Sequence, residues 1–276
     1  MDALDPAMPV LLRPDGRVQV GWDPRRAVQM RPPDGLSATG LAAVLRALPL
    51  DGDTVHRLAR RHGLRDGAGF DALLAGLRSA GVLRSPAAGG RTLSIRVHGA
   101  GPLATELTEG LRCSGARVTV SSHAGAAGAP AGVDLLLLTD YLGTDPRLLR
   151  DLHTARLPHL PVRVRDGVGV VGPLVIPGVT SCLSCADLQR TDRDPAWPAL
   201  AAQLRDVIGT ADRPTVLATA AFALSQVAHI IAGVRGEQGE PPAAMNTSWE
   251  VDVAARSIAA RRWARHPLCG CWPRQE

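Results

Sequence analysis

The chain has 276 residues, 45% of them hydrophobic and 21% charged, a composition that excludes whole-chain disorder and collagen-like repeats. Its formal charge of +5 includes 31 basic side chains that are all arginine, because the sequence contains no lysine, and this excludes a P-loop lysine, a Schiff base and a lysine clamp on ATP phosphates. The arginines are scattered and only 3% of residues are aromatic, so we expect solvated surface rather than a nucleic-acid interface.

The N-terminal residues are acidic and lack an apolar stretch, so the sequence predicts no signal peptide. The longest apolar run, residues 216–234, is interrupted by Thr219, Ser225, Gln226 and His229, and we expect it to fall short of a membrane span. We therefore expect a cytoplasmic protein with no membrane partner. In that compartment its five cysteines act as thiols or metal ligands rather than as disulfides.

A first module is predicted over residues 9–84. Its predicted elements are strands at 10–12 and 18–22 around a Pro-Asp-Gly turn, helices at 36–48, 54–62 and 70–80, and a returning strand at 81–84. Two strands, three short helices and a returning strand resemble a winged-helix unit. A small α/β cap with no binding role is the alternative interpretation.

A linker rich in Pro, Ala and Gly at 85–90 predicts two domains, at 1–90 and 91–276. In the second domain strands and helices alternate with short loops, which predicts an α/β fold with a parallel sheet and crossover helices. The predicted strands are at 93–98, 117–120, 133–138 and 159–164, the helices at 103–114, 146–155 and 215–232, a hairpin at 167–175, and two final β-segments at 248–253 and 257–263.

Cysteine spacing indicates a metal site. Cys182 and Cys185 form a C-x-x-C motif, and Cys269 and Cys271 form a C-x-C motif near the end of the sequence. Two closely spaced pairs supply the four thiolates that zinc binds tetrahedrally. Four thiolates leave no open coordination position, so we predict a structural rather than a catalytic Zn²⁺. A redox-active C-x-x-C and four unconnected thiols are the alternatives.

A glycine turn follows the first strand of the second domain. Gly99 and Gly101 belong to a G-x-G-x-x-A sequence that opens a helix, which is the context of a nucleotide-binding turn. Asp140 follows strand 133–138, where it faces a nucleotide or caps its own turn. The acid that would hold a ribose is missing because the second strand ends in Ser-Ser-His, and Pro102 removes a backbone donor. A degenerate nucleotide site therefore competes with a glycine turn kept for helix–strand packing, and we favour the second.

Two segments carry a family resemblance. Residues 172–185, GPLVIPGVTSCLSC, resemble the crossover segment of ThiF/MoeB-type proteins, which share the fold of ubiquitin-activating enzymes. Residues 187–198, DLQRTDRDPAWP, resemble the actinobacterial branch of azole cyclodehydratase components and leader-peptide-binding proteins. The resemblance covers residues 93–272. It implies a ThiF-like, Rossmann-type parallel sheet with structural zinc, a preceding winged-helix-like peptide-recognition module, and a homodimer that pairs through the 215–232 helix.

The activating enzymes adenylate a C-terminal carboxylate with charges that this sequence lacks. The ribose acid and every lysine are missing, and only Asp140 stands near the position of a metal-binding aspartate. No cysteine is left as a thioester nucleophile beyond the four proposed ligands and Cys113, which we expect to be an ordinary buried or half-buried thiol. The sequence therefore does not support a role for ATP.

These observations favour a non-catalytic protein that binds a precursor (leader) peptide and presents it to a partner modifying enzyme such as a YcaO-type cyclodehydratase. The alternative is a divergent ATP-dependent adenylyltransferase acting on the C-terminus of a small protein or peptide. A zinc-stabilised dimer with an unrelated regulatory role is a third interpretation.

We place the predicted peptide-binding surface on strand 18–22 and the helix that follows it. This strand is expected to be an edge strand that pairs with an extended peptide, and the nearby arginines are available for acidic leader residues. The candidate contact residues are Val18, Val20, Trp22, Arg25, Arg26 and Arg31. Elsewhere, we expect Arg190, Asp192 and Arg193 to form a solvated charge cluster.

Overall fold

A computed structural model describes residues 2–84, 91–122, 131–236 and 240–271. The chain divides into two compact units, Met1–Ala88 and Gly89–Glu276. The linker predicted at 85–90 and His123, the last residue of the Ser-Ser-His sequence, lie outside the described residues.

The N-terminal unit contains two small sheets and three helices. Its strands are β1 (Ala3–Leu4), β2 (Val10–Leu12), β3 (Val18–Val20), β4 (Val28–Met30) and β5 (Leu83–Arg84), and its helices are α1 (Ala38–Arg46), α2 (Gly52–Arg61) and α3 (Gly67–Ser79). β1 pairs with β5, and β2, β3 and β4 form an antiparallel sheet with β3 in the centre. Sequence analysis missed β1 and β4, which have 2 and 3 residues and, unlike β2 and β3, do not flank the Pro-Asp-Gly turn.

A side-chain cap starts each of these helices. The caps are Ser37, Asp51 and Asp66, and each accepts a hydrogen bond from the backbone N–H three residues later. Such a cap stabilises a helix by about 1 kcal/mol. The apolar faces of the helices then meet the three-stranded sheet in one core, which includes Val18, Val20, Leu41, Leu45 and Phe70.

The C-terminal unit is built on one seven-stranded sheet. Its strands are β6 (Ser94–His98), β7 (Arg117–Ser121), β8 (Leu135–Thr139), β9 (His159–Arg165), β10 (Val168–Val171), β11 (Thr247–Asp252) and β12 (Ser257–Arg262). Its helices are α4 (Pro102–Arg112), α5 (Pro146–Thr154), α6 (Leu183–Arg193), α7 (Trp197–Gln203) and α8 (Arg213–Val234). The strand order is β12-β11-β10-β9-β8-β6-β7.

The first four strands of this sheet, β6 to β9, are parallel, and β10, β11 and β12 add an antiparallel half. The α/β fold predicted from the alternation of elements is therefore confirmed. The hairpin predicted within 167–175 is wrong in its bounds: those residues contain only β10, which forms a hairpin with β9 before it through a turn at Asp166 and Gly167. Helices α6 and α7 were not predicted, because their segment has no long apolar period and is interrupted by Pro195 and Pro198.

Helix α8 has 22 residues, and an 18-residue window in it has a mean hydropathy of 1.7, so by length and composition it is sufficient to cross a membrane, and the expectation that it falls short is wrong. It packs against α4 and β10, which is the placement of a core helix. Its polar residue Gln226 is buried, and the side-chain oxygen accepts from the Ala244 N–H at 3.0 Å, whereas Ser225 and His229 are exposed. Position 169 in β10 requires glycine, because a Cβ there would lie 1.8 Å from the Thr219 hydroxyl oxygen.

Candidate metal centre and glycine turn

The first cysteine pair is fixed by the crossover segment that precedes it. The backbone N–H of Ser181 donates to the side-chain oxygen of Asn246 at 2.7 Å, and the Ser181 hydroxyl donates to the Trp263 carbonyl at 3.2 Å. Cys182 then caps α6, since its Sγ accepts from the Cys185 N–H at 3.4 Å. The start of α6 is thereby tied to the strands β11 and β12.

Four cysteine sulfurs meet beside this helix start. The Sγ atoms of Cys182, Cys185, Cys269 and Cys271 all lie within 4.8 Å of one another. Cys182 is 3.7 Å from Cys185 and 3.5 Å from Cys269, and Cys185 is 3.5 Å from Cys271. Four sulfurs bound tetrahedrally at about 2.3 Å from zinc would lie about 3.8 Å apart. The cluster could therefore hold a metal ion such as zinc. The alternative of four unconnected thiols is wrong, because the four sulfurs lie together.

The close packing of these thiols gives them different pKa values. The hydrogen bond from Cys182 lowers the pKa of Cys185 to about 4, and the same bond together with burial raises the pKa of Cys182. Burial raises the pKa of Cys271 to about 12. A divalent cation among the sulfurs would favour the thiolate form of each. The fifth cysteine, Cys113, is exposed at the end of α4, so the expectation that it is buried or half-buried is wrong.

His266 holds the second cysteine pair against α6. Its Nδ1 accepts from the Leu268 N–H at 3.1 Å, so its proton lies on Nε2, which donates to the Asp192 carboxylate at 2.8 Å. Its carbonyl accepts from the Cys269 N–H at 3.0 Å. Sequence analysis missed this histidine. Asp192 is exposed, as expected for a solvated charge cluster, but its ion pair among the described residues is with His266 rather than with Arg190 or Arg193. The sequence H-P-L-C-G-C carried the signal, since the histidine stands next to the ligand pair.

The glycine turn at the start of α4 is closed by the chain's own carboxylate. The buried Asp140 side chain accepts from the backbone N–H groups of Leu103 at 2.9 Å and Ala104 at 3.1 Å. These are N–H groups of the helix N-terminus, the donors that a phosphate would use. A Cβ would lie 2.7 Å from an Asp140 carboxylate oxygen at Gly99 and 2.5 Å from one at Gly101. The two glycines therefore make room for Asp140.

Asp140 is held in this position by its own backbone. Its φ of 69° is in the left-handed region, which is uncommon for a residue with a side chain. Its N–H donates to the Val162 carbonyl at 3.1 Å, and its carbonyl accepts from the Gly209 N–H at 3.0 Å. A phosphate at this turn would meet a buried carboxylate. The structure therefore brings Gly99, Gly101 and Asp140 together, as the degenerate nucleotide site required. They form the packed glycine turn that the sequence analysis favoured over a nucleotide site.

The predicted peptide-binding strand lies in the centre of its sheet. β3 pairs with β2 on one side and β4 on the other, and Val18 and Val20 are fully buried in the core. A central strand has no free backbone groups, so the prediction that it is an edge strand is wrong. Trp22, just after β3, is 80% exposed, and Arg25 is bonded to Asp23 at 2.8 Å.

The free edge belongs to β4. The Arg13 N–H donates to the Arg17 carbonyl at 3.0 Å, so these two residues form a hydrogen-bonded pair in register with β2 and β3. Because bonded and non-bonded pairs alternate along an antiparallel ladder, the backbone groups of Gln19, two residues further, also bond to β2. Gln29 stands opposite Gln19 in β4, so its N–H and C=O point to the outer edge of the sheet. Among the described residues no strand pairs with that edge.

Comparison with known proteins places the fold. The chain matches no protein-family model and no curated protein. A heterocyclase in complex with substrate and cofactor matches at a TM-score of 0.69 and 17% identity, over 98% of this chain and 39% of that one. The heterocyclase TruD matches at 0.67 and 16%, over 98% and 42%. E. coli MccB, with AMPCPP and MccA, matches at 0.62 and 12%, over 99% of both chains.

The chain has a ThiF/MoeB-like fold. The resemblance stated for the crossover segment and the cysteine pairs is confirmed at the level of fold, which is what likeness at these identities shows. The chain spans about two fifths of the length of the two heterocyclases and nearly the whole of MccB.

A small cavity lies beside the carboxyl ends of β6 and β8. β7 ends at Ser121, whose hydroxyl lies 2.9 Å from Nδ1 of His98. The cavity has a volume of about 210 Å³ and is lined by His98, Tyr141 and Arg205 among others. This volume is below the range of about 300–1,000 Å³ of small-molecule sites.

Proposed function

We propose that this chain binds a precursor (leader) peptide through the outer edge of β4 and presents it to a separate modifying enzyme, such as a YcaO-type cyclodehydratase, without adenylation activity of its own. Its role is to raise the local concentration of the peptide beside that enzyme. The fold neighbours point to peptide modification as the setting, since they are heterocyclases, one solved with its substrate, and MccB, solved with MccA.

The open edge of β4 is the observation that carries this proposal. On the opposite edge of the small sheet, Arg46 donates to the outward carbonyl of Val10 at 2.6 Å. On the β4 edge, the outward backbone groups of Gln29 have no hydrogen-bond partner among the described residues and are free for an added strand. Arg26 and Arg31 flank β4, are exposed, and have no ion pair within the described ranges, so they suit an acidic leader.

The absence of adenylation follows from the closed turn at α4. A carboxylate bonded to the first free amides of the helix takes the donors that ATP phosphates would need and adds a negative charge beside them. The ribose acid and lysine are also lacking in the sequence. The chain therefore keeps the scaffold and supplies no phosphate site at this position.

The proposed cofactor is one structural Zn²⁺ held by Cys182, Cys185, Cys269 and Cys271. The donor set is soft, all four sulfurs approach one another, and no position is left for a substrate. Bound there, zinc would fix the end of β12 and the segment after it to the start of α6. The ion stabilises the fold and takes no part in peptide chemistry.

The experiment that tests the peptide edge uses two substitutions at one residue. Gln29→Pro removes only an outward N–H, a change that an edge strand tolerates, whereas Gln29→Ala keeps the N–H and removes the side chain. We expect Gln29→Pro to weaken binding of a fluorescent synthetic peptide with an acidic leader and a Cys/Ser/Thr-rich core, and Gln29→Ala to bind as the unmodified protein does. Equal binding by both variants would reject β4 as the docking strand.

The alternative function, an adenylyltransferase acting on a peptide C-terminus, is tested separately. We expect no ATP–pyrophosphate exchange by the purified protein with that same peptide. Robust exchange would overturn the non-catalytic part of the proposal and leave the peptide edge standing, so the two failures are distinguishable.

A further inference from the structure

The antiparallel half of the large sheet has a strongly basic face. Val162 and Val164 of β9 are buried on the side that packs on α8, so Arg163 and Arg165 point to the opposite side. A cavity of about 1590 Å³ lies on this side, and 8 arginines but only 4 carboxylates line it. The cavity exceeds the range of about 300–1,000 Å³ of small-molecule sites, so it has room for an extended peptide segment.

Two tryptophans orient the arginines of this cavity. The Arg190 guanidinium carbon lies 5.1 Å from the ring centre of Trp197 and 4.9 Å from that of Trp263, and that of Arg261 lies 4.2 Å from Trp263. A guanidinium over an aromatic ring keeps its N–H donors at the edge of its plane, where a carboxylate accepts two of them. Trp263 is itself fixed, since its Nε1 donates to the Ser248 hydroxyl at 2.8 Å.

The positive charge is only partly neutralised within the unit. Asp187 bonds Arg190 at 2.9 Å, and Glu250 bonds Arg165 at 2.7 Å. Of the remaining six arginines, Arg163 of β9, Arg193 of α6 and Arg261 of β12 have no ion pair with any described residue, although Arg163 donates a hydrogen bond to the Leu142 carbonyl. Burial and repulsion by Arg190 lower the pKa of Arg163 to about 10. Like charges held this close are complementary to an anionic ligand.

We propose that this arginine pocket, formed by Arg163, Arg165, Arg190, Arg193 and Arg261, binds the side-chain carboxylates of an extended acidic peptide segment. A peptide fits better than a bare anion, because apolar side chains also line the cavity, among them Val179, 56% exposed, and Leu268, 80% exposed. The pocket lies within the C-terminal unit and does not depend on the proposed peptide edge at β4.

The test uses the full chain and a blocked hexaglutamate peptide. Trp197 and Trp263 contact Arg190, so binding should change tryptophan fluorescence, and it should weaken as salt is added. We expect Arg163→Gln with Arg261→Gln to weaken binding about tenfold or more. The control pair, Arg57→Gln with Arg60→Gln on the exposed side of α2, should bind as the unmodified protein does.

Three results would overturn the proposal. One is equal binding of a blocked hexaglutamine peptide, another is an unchanged affinity in the pocket variant, and the third is displacement of hexaglutamate by tripolyphosphate at far lower concentration, which would make this a phosphate site. The unfolding midpoint reports whether the pocket variant stays folded, since Arg163 also donates to the Leu142 carbonyl and Arg261 stacks on Trp263. Should it fall, the exposed Arg193→Gln variant provides the same test with less disturbance, and an unchanged affinity there rejects the pocket.

Discussion

Gly101 and Asp140 fit together with no space between them for a side chain: a Cβ at position 101 would lie 2.5 Å from the carboxylate oxygen. We expect Gly101→Ala to lower the free energy of unfolding by about 1–3 kcal/mol, because the carboxylate must leave the amides of α4. Urea unfolding followed by circular dichroism measures the change.

Gly76 provides the matched control for that substitution. It lies inside α3 with nothing within 4 Å of a Cβ, so Gly76→Ala should raise the stability by about 0.5–1 kcal/mol. If Gly101→Ala were as harmless as Gly76→Ala, Asp140 would not be the group that closes the turn.

Metal analysis of the purified protein should give about one equivalent of zinc. The double variant Cys182→Ser/Cys271→Ser removes one ligand from each pair and should lose the ion, together with a large part of the stability of the C-terminal unit. Cys113→Ser, at the exposed fifth cysteine, should keep it. A full complement of metal in the double variant would refute the site.

His159 should make the stability depend on pH. Burial lowers its pKa from the ordinary 6.5 to about 4, and its Nε2 has no hydrogen-bond partner among the described residues. The folded chain therefore keeps this imidazole neutral while the unfolded chain takes up a proton below about pH 6.5. Stability falls as the pH drops through this window, by about 2 kcal/mol between pH 7 and pH 5.

The measurement compares urea midpoints of the unmodified protein and His159→Gln at the two pH values. Acid also protonates the cysteine ligands, but that loss is common to both proteins, so the difference between their slopes isolates His159. Parallel pH profiles would show that the imidazole is not held neutral.

We propose that the chain forms a twofold homodimer through α8, whose outer side carries the 43% exposed Leu217. Leu217→Arg should shift the mass measured by light scattering toward the monomer. Leu200→Arg, at a residue of α7 that is 45% exposed, should not. A monomeric unmodified protein at micromolar concentration would contradict the dimer.

Periodicity and spacing predicted most of the fold. The parallel strands and α8 each carry an apolar pattern long enough to be recognised, as in the run of leucines in β8. The cysteine cluster was predictable because ligand chemistry restricts both residue type and spacing. β4 was not, since its 3 residues lack a recognisable turn such as the Pro-Asp-Gly turn that marks β2 and β3, and its absence from the prediction placed the free edge on the wrong strand.

The turn at Asp140 and the arginine pocket lay beyond sequence reasoning for a different reason. The carboxylate reaches the α4 amides only because the backbone at 140 has a φ of 69°, which no local pattern announces. Arg190 meets Trp263 only after β12 has paired with β11 at the far side of the sheet. Both features depend on long-range pairing, so the charged segment 187–194 was interpreted as solvated surface.

The separation of the two cysteine pairs has a consequence for the order of assembly. Cys182 and Cys269 are 87 residues apart, and the chain between them includes α6, α7, α8, β11 and β12. The four sulfurs can meet only when β11 has joined β10, so we expect the proposed ion to bind late in folding. We therefore expect removal of the ion to increase the unfolding rate and to leave the refolding rate nearly unchanged.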